Sequence, residues 1–175
     1  MKRQLYLCLV LTIYSCGLSD RLTDTVDFKQ LSSTSTQNSP IRSVLILGTG
    51  TNVARQFISS TVIPLQDFFD GLKISHTFLF IPSGNSKDSM VARLNEVHAT
   101  AYQHLLMISQ EEDAYLDGYQ PRVALSLSIC IYDKEKEGRQ WQASVRLAGR
   151  IYKPWMSDET CKRLLLHLRA NRFIP

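Results

Sequence analysis

The chain has 175 residues and a formal net charge of +4 at pH 7. This length is enough for one domain with a substantial hydrophobic core and too short for two comfortable ones. So small a charge argues against nucleic acid as the main partner, because a nucleic-acid-binding domain requires a concentrated basic face.

The N-terminus has the pattern of a secretory signal. Lys2 and Arg3 precede an apolar run over residues 5–14, and the small residue Ser15 follows that run. A positive head, a short apolar stretch and a small residue before a cleavage site are typical of exported proteins. The apolar run is far shorter than the roughly 20 residues that span a bilayer, so it does not predict a permanent transmembrane helix. We predict that residues 1–15 are a signal peptide.

Residues 13–16 resemble a bacterial lipobox, in which the cysteine is lipidated and becomes the new N-terminus. Cys16 is therefore the predicted lipidation site, and its acyl chains would anchor the protein to a membrane. Gly17 follows it; in families that sort on this position, a residue other than aspartate implies the outer membrane, facing the periplasm. An ordinary cleavable signal peptide and an uncleaved hydrophobic N-terminus stay open as alternatives.

A polar segment separates the signal from the first apolar strand. Residues 32–40 are rich in serine and threonine and have no apolar periodicity. Such a segment buries too little surface to order itself. We predict that residues 16–40 are a flexible Ser/Thr-rich tether carrying the lipidated cysteine, and that residues 41–175 form a single domain.

The first half of this domain alternates short apolar runs with amphipathic segments. Apolar runs of four or five residues are typical of buried strands, and apolar residues three and four apart are typical of helices. Pro64 should kink or split the first helix. In chain order the pattern predicts a strand at 44–47, a helix capped by Thr51 or Asn52 and stopped at Gly71, a strand at 77–81, a helix capped by Ser86, and a strand at 105–108, with a continuation of that helix as the alternative.

The second half contains a long hairpin and a final helix. Apolar and polar residues alternate over 123–132 and again over 141–151, with a charged turn between them. This period-two pattern predicts an antiparallel hairpin with one solvated face. Ser157 should cap the final helix. The fold class is α+β with an α/β-like start: a mixed sheet in the order β-α-β-α-β-β-β-α, with helices packed on it.

These features resemble a group of small bacterial envelope lipoproteins. The group includes the curli-secretion lipoprotein and penicillin-binding-protein activator lipoproteins, whose domains are similar to the N-terminal domain of the Tol-Pal propeller protein. The resemblance lies in Cys16, the Ser/Thr tether, the strand at 43–47, the hairpin at 123–151 and the helix at 161–172. It implies a non-enzymatic protein that binds an envelope partner in assembly, secretion or cell-wall work, in some members as a homo-oligomeric ring.

One turn suggests a different function. Gly48, Thr49 and Gly50 lie between a strand and a helix, which is the layout of a dinucleotide-binding turn. Ala54 would be the third small residue, but it comes one position late, and no acidic residue follows the second strand. We favour a plain tight turn and keep a nucleotide-binding enzyme as the alternative function.

No other constellation of residues indicates catalysis or ligand chemistry. The four histidines lack metal-ligand spacing, and no nucleophile motif is present, so we predict no catalytic residue, metal or cofactor. Export to an oxidising compartment would permit a disulfide between Cys130 and Cys161, which the sequence leaves open.

The hairpin supplies the candidate interface. Its outer face mixes aromatic and arginine residues, which are favoured where proteins meet. An ordinary solvated sheet face is the alternative. The candidate interface residues are Tyr132, Arg146, Arg150 and Tyr152.

Overall fold

A computed structural model describes residues 24–33, 38–116, 123–136, 138–148 and 153–175. Within these ranges it has six strands, three α-helices and one 3₁₀ turn, which confirms the predicted α+β class. In chain order they are β1 (Thr25–Ser33), β2 (Ser43–Gly50), α1 (Asn52–Gly71), β3 (Ser75–Pro82), α2 (Lys87–Glu96), the 3₁₀ turn Ala99–Ala101, β4 (His104–Leu116), β5 (Val123–Asp133), β6 (Arg139–Ala148) and α3 (Pro154–Ala170).

All six strands belong to one mixed sheet, in the order β1-β6-β5-β4-β2-β3. Strand β2 pairs in parallel with both β3 and β4, whereas the pairs from β4 to β1 are antiparallel. Helix α1 connects β2 to its neighbour β3, and α2 leads from β3 past β2 to β4, so the two connections run in opposite directions across the sheet. Because such crossovers are right-handed, the two helices lie on opposite faces of the sheet.

The core lies between the sheet and the helices α1 and α3. One row of fully buried side chains crosses four neighbouring strands in register: Ile46, Leu106, Ile131 and Trp141. Leu65 of α1 and Leu164 of α3 are also fully buried in the same cluster. We call this the core face of the sheet, and the opposite side, which α2 approaches, the second face.

Strand β1 corrects the predicted tether. Residues 25–33 pair with β6 from Thr25 opposite Ala148 to Ser33 opposite Trp141, so the prediction of a flexible segment over 16–40 is wrong for them. Val26 is buried in the core, and Phe28 packs against it. Pairing with β6 provides hydrogen-bond partners for the backbone N–H and C=O groups of β1. From the serine-rich composition alone, these groups were expected to bond to water. The domain therefore includes Thr25, and the strand order has one more strand at its start than predicted.

Two local predictions about helices, a split at Pro64 and a cap at Ser157, were also wrong. Helix α1 runs unbroken through Pro64. The carbonyl that loses its donor there is that of Ser60, an exposed residue, so water can replace the missing bond. Helix α3 begins at Pro154 rather than at Ser157, because the fixed backbone angle of proline suits the first turn of a helix.

The predicted solvated face of the hairpin is wrong for β5. Ser126, Ser128 and Cys130 alternate with the core residues of this strand, yet they are only 8%, 6% and 3% exposed.

Among the residues that the structure describes, no helix is both long enough and apolar enough to cross a bilayer.

Truncation of Phe28 tests whether β1 belongs to the folded domain. Its ring stacks on His167 of α3 with 4.9 Å between ring centroids. We expect Phe28→Ala to lower the free energy of unfolding by about 2 kcal/mol, less than a full core truncation because the ring is only partly buried. Urea unfolding followed by tryptophan fluorescence measures it. Lys29→Ala, at an exposed neighbouring position, should change the value by less than about 0.5 kcal/mol. Equal effects of the two substitutions would show that β1 adds nothing to stability.

Candidate functional site

The structure places Tyr132 and Arg146 on the second face but far apart. Arg146 is opposite Ser126, and Tyr132 is six residues farther along β5, which corresponds to about 20 Å. Arg146 is exposed and Tyr132 is half-buried. Burial, followed by the neighbouring Cys130, raises the pKa of Tyr132, so its hydroxyl stays protonated. These two residues do not form one patch. Arg150, Tyr152 and Cys16 lie outside the described residues, and their proposed roles stay predictions.

The predicted tight turn at residues 48–50 is wrong, because these residues are the last three of β2 and pair with residues 80–82 of β3. Protein atoms fill the space around them. The backbone nitrogen and the hydroxyl of Thr51 both lie 2.9 Å from Oε1 of Gln110, which accepts from them. A Cβ on Gly50, where φ is +149°, would lie 2.8 Å from the Cβ of Ala54 and 2.9 Å from Gln110. In a dinucleotide-binding turn these backbone donors face a pyrophosphate. Here the carboxamide oxygen of Gln110 accepts from the backbone N–H and the hydroxyl of Thr51. The geometry therefore adds no support for a nucleotide-binding function.

Gly48 has a packing role. A Cβ at this position would lie 2.8 Å from Cδ2 of Phe80 and 3.0 Å from Cγ2 of Ile58. The glycine therefore lets α1 and β3 approach the middle of β2. Close packing therefore explains why residue 48, near the end of β2, is a glycine, and no ligand is needed to explain it.

The two described cysteines are free and buried. Cys130 alternates with the core residues of β5 and so belongs to the second face, whereas Cys161 on α3 packs in the cluster on the core face. Because the sheet lies between them, the disulfide that the sequence left open does not form. Burial raises the pKa of Cys161 to about 11, so its thiol is unreactive.

A buried histidine–aspartate pair lies where β4 begins and β5 ends. Nε2 of His104 is 3.7 Å from Oδ2 of Asp133, and the two side chains are 0% and 1% exposed. Neither ring nitrogen nor this carboxylate oxygen has a hydrogen-bond partner. Burial lowers the pKa of His104, against the opposing effect of Asp133, so the ring is neutral at pH 7. The described residues contain no group of three or more metal-ligating side chains.

Sequence reasoning missed a groove between β1 and α3. The groove has a volume of about 560 Å³, and Trp155 in its wall is 43% exposed. Tryptophan and arginine are the residues most often found at the energetic centres of interfaces. The signal that could have identified it was an aromatic residue directly after Pro154, surrounded by charged positions. We call it the Trp155 groove, and it is also lined by Asp24, Thr25, Val26, Asp158, Glu159, Lys162 and Arg163.

A second cavity lies on the second face, beneath α2. Its volume is about 330 Å³. Leu45 and Leu47 of β2 and Leu105 of β4 line it, together with Leu94 of α2. Pockets of this size with mostly apolar walls are typical of small-molecule sites. No residue predicted as functional from the sequence lines it apart from Tyr132.

Substitution of Gly48 tests whether packing requires this glycine. Gly48→Ala should lower the free energy of unfolding by about 2 kcal/mol in protein without nucleotide, because the added methyl overpacks the core. In Gly71→Ala the Cβ meets no atom within 4 Å. That substitution should raise stability by about 0.5 kcal/mol through helix propensity and a smaller loss of chain entropy. Chemical unfolding measures both, and a neutral Gly48→Ala would argue against the packing role.

Acid should destabilise the fold through His104. A histidine whose folded pKa is lowered contributes stability that is complete above about pH 6.5 and is lost as the pH falls below that value. We expect the urea midpoint to fall between about pH 7.5 and pH 5, and to fall less in His104→Gln. Burial also lowers the pKa of His167, so His167→Gln should remove a further part of the dependence. Identical pH profiles for wild type and both variants would contradict this assignment.

Comparison with known proteins identifies solved structures that share the fold of this chain. No family model matches the sequence, and no curated protein matches it significantly. The PelC dodecamer from Paraburkholderia phytofirmans superposes with a TM-score of 0.50 at 12% identity, over 86% of this chain and 99% of that chain. A single-substitution variant of that PelC, also a dodecamer, gives a TM-score of 0.50 at 10% identity, over 86% and 100%. A DUF330 protein from Xanthomonas campestris gives 0.43 at 8% identity, over 82% and 94%. The chain shares its fold with the PelC subunit.

Proposed function

We propose that the protein is a lipid-anchored component of the bacterial cell envelope, at the outer membrane, that works by assembling with copies of itself and with an envelope partner. The observation that carries this proposal is the superposition with PelC, a subunit of a dodecamer, over 99% of that chain. This chain thus has a counterpart for nearly every element of a subunit that forms a large homo-oligomer. The role is structural rather than catalytic.

The N-terminus supports the anchoring part of the proposal. The lipobox-like residues 13–16 make Cys16 the site of lipidation, and several acyl chains on one cysteine meet the requirement for stable attachment. Because β1 starts at Thr25, only seven residues lie between Cys16 and Asp24, which are therefore eight Cα–Cα steps apart. Fully extended, they reach at most about 28 Å. The domain is therefore held close to the bilayer, nearer than a tether ending at residue 40 would allow.

The sheet supports the assembly part. Strands β1 and β3 are its two edges, and each pairs with a neighbour on one side. Leu31 of β1 is 49% exposed, and β1 also contacts α3, the helix that carries the exposed Trp155. A surface on the β1 side that contacts a different surface on the next copy gives head-to-tail contacts, which close into rings. The Trp155 groove is our candidate for one half of such an interface.

Native mass spectrometry of the full-length protein, extracted from membranes in detergent, tests both parts. We expect a homo-oligomer whose subunits begin at Cys16 and carry two or three acyl chains. Cys16→Ala should lose the acyl mass and move to the soluble fraction. Trp155→Ser should shift the oligomer to monomers by tenfold or more at equal protein concentration, because it removes an interfacial aromatic anchor.

Leu166→Ser is the matched control, since Leu166 is 55% exposed on the same helix but does not line the groove. It should leave the oligomer intact. A subunit that begins at Met1 or lacks acyl mass would contradict the anchor, and a monomeric wild type would contradict the assembly. Equal dissociation by both serine variants would exclude the Trp155 groove as the interface.

A further inference from the structure

The two ends of the sheet carry different surfaces. Strand β1 and the Trp155 groove lie at one end of the strand order, and β3 lies at the other. Helix α2 is at the β3 end, because Nη1 of Arg93 donates to the carbonyl of Phe80 at 3.1 Å and Leu94 shares a cavity with two leucines of β2. Five strand spacings, roughly 24 Å, separate the ends. Helix α2 therefore cannot reach the groove of its own chain, but it can reach that of a second copy.

The exposed apolar residues show what a second copy could present to the groove. In the described ranges five large apolar side chains are exposed: Leu31, Ile63, Val91, Trp155 and Leu166. Three of them lie on β1 or α3, the two elements that form the groove. The other two, Ile63 on α1 and Val91 on α2, are the candidates for an apolar contact from the next subunit.

Most charges in and beside the Trp155 groove are neutralised within the subunit. They form two ion pairs, Arg163 with Glu159 and Lys153 with Asp24. Two exposed charges of the lining are left, Asp158 and Lys162, which lie one and two turns beyond Trp155 on α3. Neither makes a hydrogen bond or an ion pair with another described residue. A partner that fits the groove therefore contacts Trp155 with an apolar group and has a positive and a negative charge close to that group.

The charges beside the two apolar candidates distinguish between them. Lys87 and Asp88 lie one turn before Val91 on α2, and all three are exposed. Within the part of the chain that the structure describes, neither charged side chain has an ion-pair partner. At the corresponding spacings from Ile63 the helix has no positive charge and has the acidic Asp67. The surface around Val91 therefore matches the groove, and the surface around Ile63 does not.

We propose that α2 of one subunit docks in the Trp155 groove of the next, antiparallel to α3, with Val91 against Trp155. The docking rests on the self-assembly proposed above and supplies the second half of that interface. Helix α2 buries none of its own side chains, so its outer face is available. Its ten residues are about 15 Å long, and the wall from Trp155 to Arg163 is about 12 Å long, so one helix can lie along the other.

The antiparallel orientation follows from the charges. It places Lys87 opposite Asp158, and it leaves Asp88 within reach of the longer side chain of Lys162. In the parallel orientation the C-terminal end of α2, which carries Glu96, would lie against Asp158 instead. Because α2 and the groove are at opposite ends of the sheet, each copy uses one surface on each side. Such head-to-tail contacts can close into a ring.

Native mass spectrometry of the full-length protein in detergent tests the role of α2. Val91→Asp should shift the oligomer to monomers by tenfold or more at equal protein concentration, because it brings a carboxylate against Trp155 and Asp158. Ile63→Asp is the matched control, since Ile63 is 60% exposed on α1, and it should leave the oligomer intact. Equal dissociation by the two aspartate variants would overturn the docking.

A charge exchange tests the orientation. Lys87→Glu and Asp158→Lys should each dissociate the oligomer by about fivefold, because each places two like charges together. The double variant restores an opposite pair and should recover most of the oligomer. Lys87→Glu keeps α2 folded, since a negative charge is favourable in the first turn of a helix. A double variant as dissociated as the single variants would contradict the antiparallel pairing.

A mixture of two variants tests whether the contact is head-to-tail. Val91→Asp retains the groove and loses the docking residue, whereas Trp155→Ser retains α2 and loses the groove. Each variant alone should be monomeric. Their equimolar mixture should contain heterodimers, identified by mass, because one intact interface can form between the two. A mixture that stays monomeric would overturn the proposal.

The results separate this docking from the proposed function. An oligomer that dissociates in Trp155→Ser but not in Val91→Asp would show that the groove holds something other than α2. The docking would then be wrong and the proposed assembly would stand. A monomeric wild type would overturn both.

Discussion

The whole fold depends on the parallel pairing of β2 with two neighbours. Residues 44–48 of this strand are buried without a break, and it bonds to β3 on one side and β4 on the other. Such a strand needs cover on both faces, which α1 provides on one and α2 on the other. At Gly48, α1 packs so closely that a Cβ would lie 3.0 Å from Cγ2 of Ile58. Both the packed core and the floor of the cavity beneath α2 are therefore consequences of one short apolar segment.

The parts of the fold that the sequence predicts well are those with a dense local pattern. Three patterns each predict one type of secondary structure, wherever the element lies in the fold. They are the apolar run of β2, the helical spacing of apolar residues in α1 and the alternation in β5. Strand β1 is different, because the two apolar residues that it contributes to the core, Val26 and Phe28, lie in a polar stretch. Its order comes from pairing with β6, more than a hundred residues away, and no local pattern reports that contact.

The candidate sites show the same division. Alternation correctly assigned Tyr132 and Arg146 to one face, but only the register shows that they are too far apart to act together. The segment with Gly48 and Gly50 resembles a nucleotide-binding motif in sequence. The backbone N–H and the hydroxyl of Thr51, however, donate to Gln110, which lies sixty residues along the chain from Gly50. The Trp155 groove and the cavity beneath α2 bring together residues from separate elements. A linear pattern contains no information about such volumes, and the aromatic residue after Pro154 indicates only one wall of the Trp155 groove.

The early start of the fold at Thr25 affects how subunits would meet. A domain that can move at most about 28 Å from its proposed anchor at Cys16 would share a thin layer with every other anchored copy. Within that layer the effective concentration of binding surfaces is far higher than in the same volume of free solution, and each tilt of the domain samples a neighbour again. With Cys16 lipidated as we propose, contacts that form an oligomer in detergent solution would be strengthened further at the membrane. A short connection between anchor and domain would therefore favour the proposed ring.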